Sequence, residues 1–197
     1  YKRQITAKKT ILALGGITQS AEMLERYGYK QYEISNFAAP GYESKHNLKY
    51  WNMDDYMSFG PGAHSCIGNV RYSFVKDLKQ YIYGVHKKIS IVDEYEQIDP
   101  LERAVEYVML GMRTSRGISE HDYRLRCQCD WKPILKVLQA FKEKGWVEQT
   151  EDRWHFTVPG FLISNTLIGI MLETQASGRI DLSLIHISEP TRRRGIS

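Results

Sequence analysis

The chain has 197 residues, with 27 lysines and arginines against 23 aspartates and glutamates, and 42% of its residues are hydrophobic. This composition excludes a disordered chain, a collagen-like chain and a disulfide scaffold. Its most apolar stretch, residues 161–172, contains Ser164, Asn165 and Thr166 and is too short for a membrane span. The sequence therefore predicts no transmembrane segment, although peripheral contact with a membrane surface stays compatible with it.

Both ends of the chain carry information. It begins with Tyr1, lacks a charged and apolar leader and contains three cysteines, so we expect a cytoplasmic protein that has lost its true N-terminus. Residues 182–192 resemble a translated sequencing adapter, and we expect residues 182–197 to be an artefact. Leaving this tail out halves the excess of basic over acidic residues, and no strong cluster of basic residues remains, so no nucleic-acid partner is expected.

In the first half, residues 18–27 have helical spacing before Gly28, and residues 29–35 are typical of a strand that runs into a turn signal at residues 38–41. This order of helix, turn, strand and loop favours the late part of an α/β barrel. Residues 40–56 are predicted to form a long aromatic loop of functional type. A brief strand at residues 57–59 and a glycine-rich turn at residues 60–65 follow.

The second half is predicted to be mainly helical. A helix begins near Asp99, Ser119 caps a second helix, and Asp130 caps a third that ends at Gly145. A hairpin over residues 146–157 and a last helix through Leu172 complete the order of a winged-helix-like module. Such a module does not by itself indicate DNA binding.

The candidate chemistry lies in the first half. His46, Asn47, Tyr50 and Trp51 combine an imidazole, an amide and two aromatics, which suits haem iron and a porphyrin face, but the spacing alone favours a structural role. The turn at residues 60–65 suits either a nucleotide-like cofactor or a plain connection. The pair Cys127 and Cys129 has one residue between its sulfurs, unlike a zinc or redox pair, so we assign these cysteines no metal.

These segments converge on a family. QYEISNFA at residues 31–38, HNLKYW at residues 46–51, GPGAHS at residues 60–65 and EYVMLGMR at residues 106–113 resemble consecutive signatures of the HemW-type haem chaperones. These are radical S-adenosylmethionine proteins similar to oxygen-independent coproporphyrinogen III oxidase. The resemblance extends over about residues 18–173.

The resemblance implies an α/β fold, with the C-terminal part of a radical S-adenosylmethionine partial barrel over residues 1–90 and a small winged-helix-like α+β domain of HemW type over residues 91–176. It implies that His46 is the axial ligand of haem iron, supported by Asn47, Tyr50 and Trp51. It also implies S-adenosylmethionine contacts, which would come from Gly60, Gly62, Ala63 and His64.

The family's 4Fe-4S cluster is held by an N-terminal three-cysteine motif that this sequence does not contain. None of Cys66, Cys127 and Cys129 inherits that role. The resemblance thus implies haem as ligand, and S-adenosylmethionine and the cluster as cofactors of the full-length protein.

The resemblance implies a haem chaperone that binds haem and transfers it to acceptor proteins. Two alternatives stay open: an oxygen-independent coproporphyrinogen III oxidase, which would make the full-length protein an enzyme, and a winged-helix interaction module.

Overall fold

The computed structural model describes residues 24–177 and the backbone of one earlier strand. That strand, β1 (Ile11–Ala13), pairs antiparallel with β3 (Asn36–Ala38), which pairs in turn with β2 (Lys30–Glu33). The strand predicted at residues 29–35 is therefore shorter than expected and turns back at residues 34–35. Every ladder among the described strands is antiparallel, so the parallel partial barrel stays a prediction.

Two other predictions fall mostly or wholly outside the described residues. Of the helix predicted over residues 18–27, the described part is helical at residues 24–26, where Leu24 is buried. Gly28 has a φ of 81°, as expected for the residue that ends this helix. The tail at residues 182–197 is outside the described residues.

The loop predicted over residues 40–56 is wrong in its middle, where α1 (Lys45–Trp51) forms. This helix has seven residues and none of them is buried, so the sequence has no apolar stripe from which the helix could be predicted. The strand predicted at residues 57–59 is also wrong, because the chain is irregular there. The next strand starts only after the glycine-rich turn.

A second antiparallel sheet follows that turn. It contains β4 (His64–Ile67), β5 (Val70–Phe74) and β6 (Val92–Gln97) in sequence order, and α2 (Leu78–Lys87) lies between the last two strands. Asp77 caps α2 by accepting a hydrogen bond from the Gln80 backbone N–H at 2.8 Å.

The remainder of the described chain is the C-terminal module. Its elements are α3 (Pro100–Gly111), β7 (Ile118–Ser119), α4 (Glu120–Cys127), α5 (Lys132–Glu143), β8 (Val147–Thr150), β9 (Arg153–Phe156), α6 (Val158–Leu162) and α7 (Ser164–Ser177). The sheet order is β7–β9–β8. Three helices, a hairpin and closing helices appear in the predicted order, while the winged-helix assignment and the domain limits stay predictions.

Local signals in this module are largely confirmed. Ser119 Oγ accepts from the Asp122 backbone N–H at 3.1 Å, and the hairpin of β8 and β9 lies within the predicted range. Asp130 accepts from the Lys132 backbone N–H, although α5 begins one residue later than predicted. The single last helix is wrong, because α6 ends at Leu162 and α7 starts separately at Ser164.

The module packs around one apolar core, since each helix supplies a buried face. Its largest fully buried members include Tyr123, Trp131, Phe141 and Met171. Removing such side chains from water is the main stabilising contribution to the fold. Searching the described residues reveals no helix with the length and apolarity needed to cross a membrane.

A buried charge network joins the second sheet to this module. Arg103 on α3 is only 8% exposed and donates to the backbone oxygen of Gly68 and to Asn69 Oδ1. Glu106, one turn later, pairs with both Arg103 and Arg71 of β5. Because a buried guanidinium is costly without partners, these contacts fix where α3 lies against the sheet.

Gly117 provides a test of close packing, because its φ is 66° and an added Cβ would lie 1.9 Å from the Trp154 backbone oxygen. We expect Gly117→Ala to lower the free energy of unfolding by at least about 2 kcal/mol in a urea titration. Gly145→Ala is the matched control, since Gly145 has a φ of 72° but no atom within 4 Å of its added Cβ. We expect the free energy of unfolding of this control to fall by about 1 kcal/mol. Equal decreases in the two variants would contradict the packing argument.

Asp122 provides a test of electrostatics. Burial opposes its charge, but the hydrogen bond and charge of Arg153, at 2.8 Å, hold the pKa of Asp122 below its ordinary value. The pair therefore stabilises the fold fully above the ordinary aspartate pKa of about 4, and this contribution is lost as the pH falls below that value.

We expect the stability difference between the unsubstituted chain and Asp122→Asn to shrink as the pH is lowered from 6 to about 3. Urea unfolding at each pH measures it. Asp152→Asn, in the exposed hairpin turn, is the control and should show no such trend. A difference at Asp122 that is constant with pH would rule out the ion pair as its source.

Candidate functional site

The predicted haem motif lies on a short capped helix and not in a loop. Ser44 Oγ accepts a hydrogen bond from the Asn47 backbone N–H at 3.3 Å, which starts α1. The helix ends at Asn52, whose N–H donates to the Leu48 backbone oxygen. Met53 then adopts a φ of 56°, so the chain turns sharply away. The motif residues consequently have fixed angular positions around one axis.

His46 and Tyr50 form a pair on the exposed face of α1. They are four residues apart, so their side chains are neighbours along the helix. The Tyr50 hydroxyl lies 3.4 Å from His46 Nε2, and the ring centroids are 5.1 Å apart at an interplanar angle of 90°. This hydrogen bond is long and exposed, so an incoming metal can replace it at little cost. An accessible imidazole beside an aromatic ring is a donor set that fits haem iron.

Trp51 does not lie on that face. At about 100° per residue, Trp51 is rotated by about 140° from His46 around the helix. Its indole nitrogen is buried and has no hydrogen-bond partner among the described residues. Trp51 lines a small crevice of about 10 Å³ against the C-terminal module, with Tyr107, Asp122 and Arg126. The structure thus brings together two of the four predicted residues and directs a third elsewhere.

A cavity of about 140 Å³ lies beside Tyr50. Its other lining residues are Met53, Asp54, Tyr56, Cys66, Arg71, Arg103, Glu106 and Leu110. The Tyr50 and Tyr56 rings are 4.8 Å apart. Burial, with a smaller contribution from Cys66, raises the pKa of Tyr56, so this phenol stays protonated. The cavity is smaller than the 300–1,000 Å³ of typical ligand pockets, so a porphyrin would not be enclosed there.

The glycine-rich turn has the backbone that the sequence predicts. Gly60 and Gly62 have φ values of 115° and 67°. However, the Gly60 N–H donates to the Tyr81 hydroxyl, the Gly62 N–H to Val75 and the Ala63 N–H to Gly60. These three amides are therefore used within the fold. The predicted S-adenosylmethionine contacts stay a prediction, for which the exposed His64 side chain is the available group.

The cysteines are placed as packing residues. Cys66 and Cys127 are buried, and burial, with a smaller effect of Cys129, raises the pKa of the Cys127 thiol to about 12. Over the residues that the structure describes, no group of three histidine, cysteine or acidic side chains is arranged to hold a metal ion. Glu33 is buried and accepts hydrogen bonds from the Ser35 backbone N–H and the Asn36 side-chain amide.

Sequence reasoning missed the arginines that hold α1 in place. Arg126 Nη1 donates to the Asn52 backbone oxygen at 2.8 Å, and Arg116 Nη1 donates to Asn52 Oδ1 at 3.4 Å. These partners are separated by 74 and 64 residues, so no local pattern connects them.

A larger cleft of about 440 Å³ lies between β2 and α6. Phe156, Val158 and Phe161 supply much of its wall, and it contains none of the predicted site residues. Since no cluster of catalytic or metal-ligating groups converges there, the His46 face of α1 is the better candidate site.

Comparison with known proteins gives consistent results. Residues 98–163 match the family model described as the HemN C-terminal domain. The chain is 35% identical over 162 residues to the heme chaperone HemW of Bacillus subtilis, covering 78% of this chain and 43% of that protein. It is 26% identical over 162 residues to the heme chaperone HemW of Escherichia coli, covering 78% of this chain and 41% of that one.

Among solved structures, the chain is similar to the one titled "Coproporphyrinogen III oxidase (HemN) from Escherichia coli is a Radical SAM enzyme". The TM-score is 0.55 at 17% identity, covering 79% of this chain and 39% of that one, which shows likeness of fold alone. The chain spans less than half the length of the curated relatives it matches. The family resemblance found in the sequence is therefore confirmed, and the chain is a relative of the HemW-type haem chaperones over the part of their length that it matches.

Proposed function

We propose that this chain is the haem-holding portion of a haem chaperone, in which His46 binds haem iron and the haem then passes to an acceptor protein. The observation that carries this proposal is the exposed His46 imidazole on a helix capped at both ends, whose hydrogen-bond partner among the described residues is the Tyr50 hydroxyl at 3.4 Å. The names of the curated relatives support haem as the ligand.

The openness of the site also supports transfer. The cavity beside Tyr50 is too small for a porphyrin, so haem would rest against the outer face of α1. Lys49 is exposed three residues after His46, next to it on the helix surface, and its ammonium group suits a haem propionate. A ligand held at one face can leave without the fold opening, as a chaperone requires.

The proposal includes S-adenosylmethionine and a 4Fe-4S cluster for the full-length protein. Their support is the family resemblance and the fold likeness to a protein whose title calls it a radical SAM enzyme. The cluster would be held by the part of the relatives that this chain does not match, since Cys66 and Cys127 are buried packing residues. We place the protein in the cytoplasm, where free thiols persist.

The alternative, an oxygen-independent coproporphyrinogen III oxidase, is favoured by the structural neighbour alone. The two functions differ in the role of iron, because coproporphyrinogen carries none. Iron-dependent binding at His46 therefore separates them.

We expect the chain to bind hemin with a shift of its Soret band, and His46→Ala to abolish the shift and weaken binding by more than about 100-fold. Losing a metal ligand costs more than losing a group that supports one, which typically costs 10–100-fold. A spectrophotometric hemin titration measures both effects.

His86→Ala is the matched control, since His86 is an exposed histidine on α2. Iron-free protoporphyrin IX is the second control and should not distinguish His46→Ala from the unsubstituted chain. A His46→Ala variant with the original spectrum and affinity would exclude His46 as the haem ligand.

A further inference from the structure

α1 needs support from the rest of the chain. It has seven residues and none is buried, whereas isolated helices shorter than about 12 residues are marginal in water. Its N-terminus is held by the local cap of Ser44. Contacts at its other end therefore contribute to the orientation of the helix, and with it to that of His46.

Those contacts come from the C-terminal module. Arg126 lies on α4 and donates to the Asn52 backbone oxygen at 2.8 Å, while Arg116, just before β7, donates to Asn52 Oδ1 at 3.4 Å. Asn52 is the C-cap of α1, where carbonyl groups lack helical partners and the helix dipole is negative. Two guanidinium groups are therefore directed at the point that most favours positive charge.

The other face of the helix end is covered by the same module. Trp51 lines the crevice shared with Arg126 and Arg153, and its indole nitrogen is buried. Arg153 is itself fixed by Asp122 at 2.8 Å and by the Gly117 backbone oxygen at 2.9 Å. The wall that receives Trp51 is thus rigid, and it leaves His46 and Tyr50 on the opposite, exposed side.

We propose that Arg126, assisted by Arg116, is a positioning residue for the haem ligand, through which the C-terminal module sets the orientation of α1 and of His46. This inference rests on the proposed function of His46. It assigns the C-terminal module an indirect part in haem binding, through the end of α1.

The test uses the 197-residue chain, with hemin as the probe. Arg126→Ala is expected to weaken hemin binding about tenfold and to let free imidazole displace His46 at a correspondingly lower concentration. Arg126→Lys keeps one charged donor and should recover part of the loss. Arg124→Ala is the matched control, because Arg124 is exposed on the same helix and pairs only with Glu120 among the described residues.

A readout that needs no haem separates positioning from general stability. Hydrogen exchange followed by mass spectrometry should show faster exchange at residues 45–52 in Arg126→Ala, with unchanged exchange in α5 and α7. If Arg126→Ala does not fold, Arg116→Ala is the variant that tests the inference, because Arg116 is exposed. Its loss should weaken hemin binding about threefold.

Each outcome has a distinct meaning. Arg126→Ala with the original hemin affinity and exchange pattern, or Arg124→Ala with an equal loss, would overturn the inference while leaving the proposed function intact. If Arg116→Ala is the deciding variant, unchanged hemin affinity would overturn it too. His46→Ala with undiminished hemin binding would instead overturn the proposed function.

Discussion

The buried guanidinium of Arg103 is the constraint on which the arrangement of this chain depends. A positive charge that is 8% exposed must be paired, and its partners come from the turn at Gly68 and Asn69 and from Glu106. Through Glu106 the network reaches Arg71 of β5, so the second sheet and the C-terminal module share one set of charges. Because breaking such a network leaves an uncompensated charge, the network favours the observed packing of the two parts against each other.

The position of α1 follows from that arrangement. Tyr56 pairs with Cys66 of β4 through two backbone hydrogen bonds of 2.9 Å, which fixes the chain just after α1 to the second sheet. Arg116 and Arg126 hold the end of the same helix against the C-terminal module. α1 is therefore attached both to the second sheet and to the C-terminal module, the two parts that the Arg103 network connects. His46 lies on the exposed face of this helix.

Sequence reasoning succeeded where a local physical signal exists. The Ser119 cap, the helix α5 and the hairpin of β8 and β9 are each determined by residues within a few positions of one another. The sequence did not predict α1, because this helix has no apolar stripe. It also did not predict the break between α6 and α7 at Ile163, because the apolar residues continue across that break. At the site, the haem residues His46, Asn47, Tyr50 and Trp51 stay predictions of the motif, whereas Arg126 is 74 residues from Asn52 and only folding brings these two together.

The exposed His46 imidazole has a chemical consequence for exchange. Under the proposed function, His46 would hold haem at an exposed face of α1, so a side chain of an acceptor protein could approach while His46 still holds the haem. Transfer from this face would need neither an opening of the fold nor a free haem intermediate. A shallow site on a short helix suits such a direct transfer, whereas a ligand enclosed in a deep pocket would have to dissociate first.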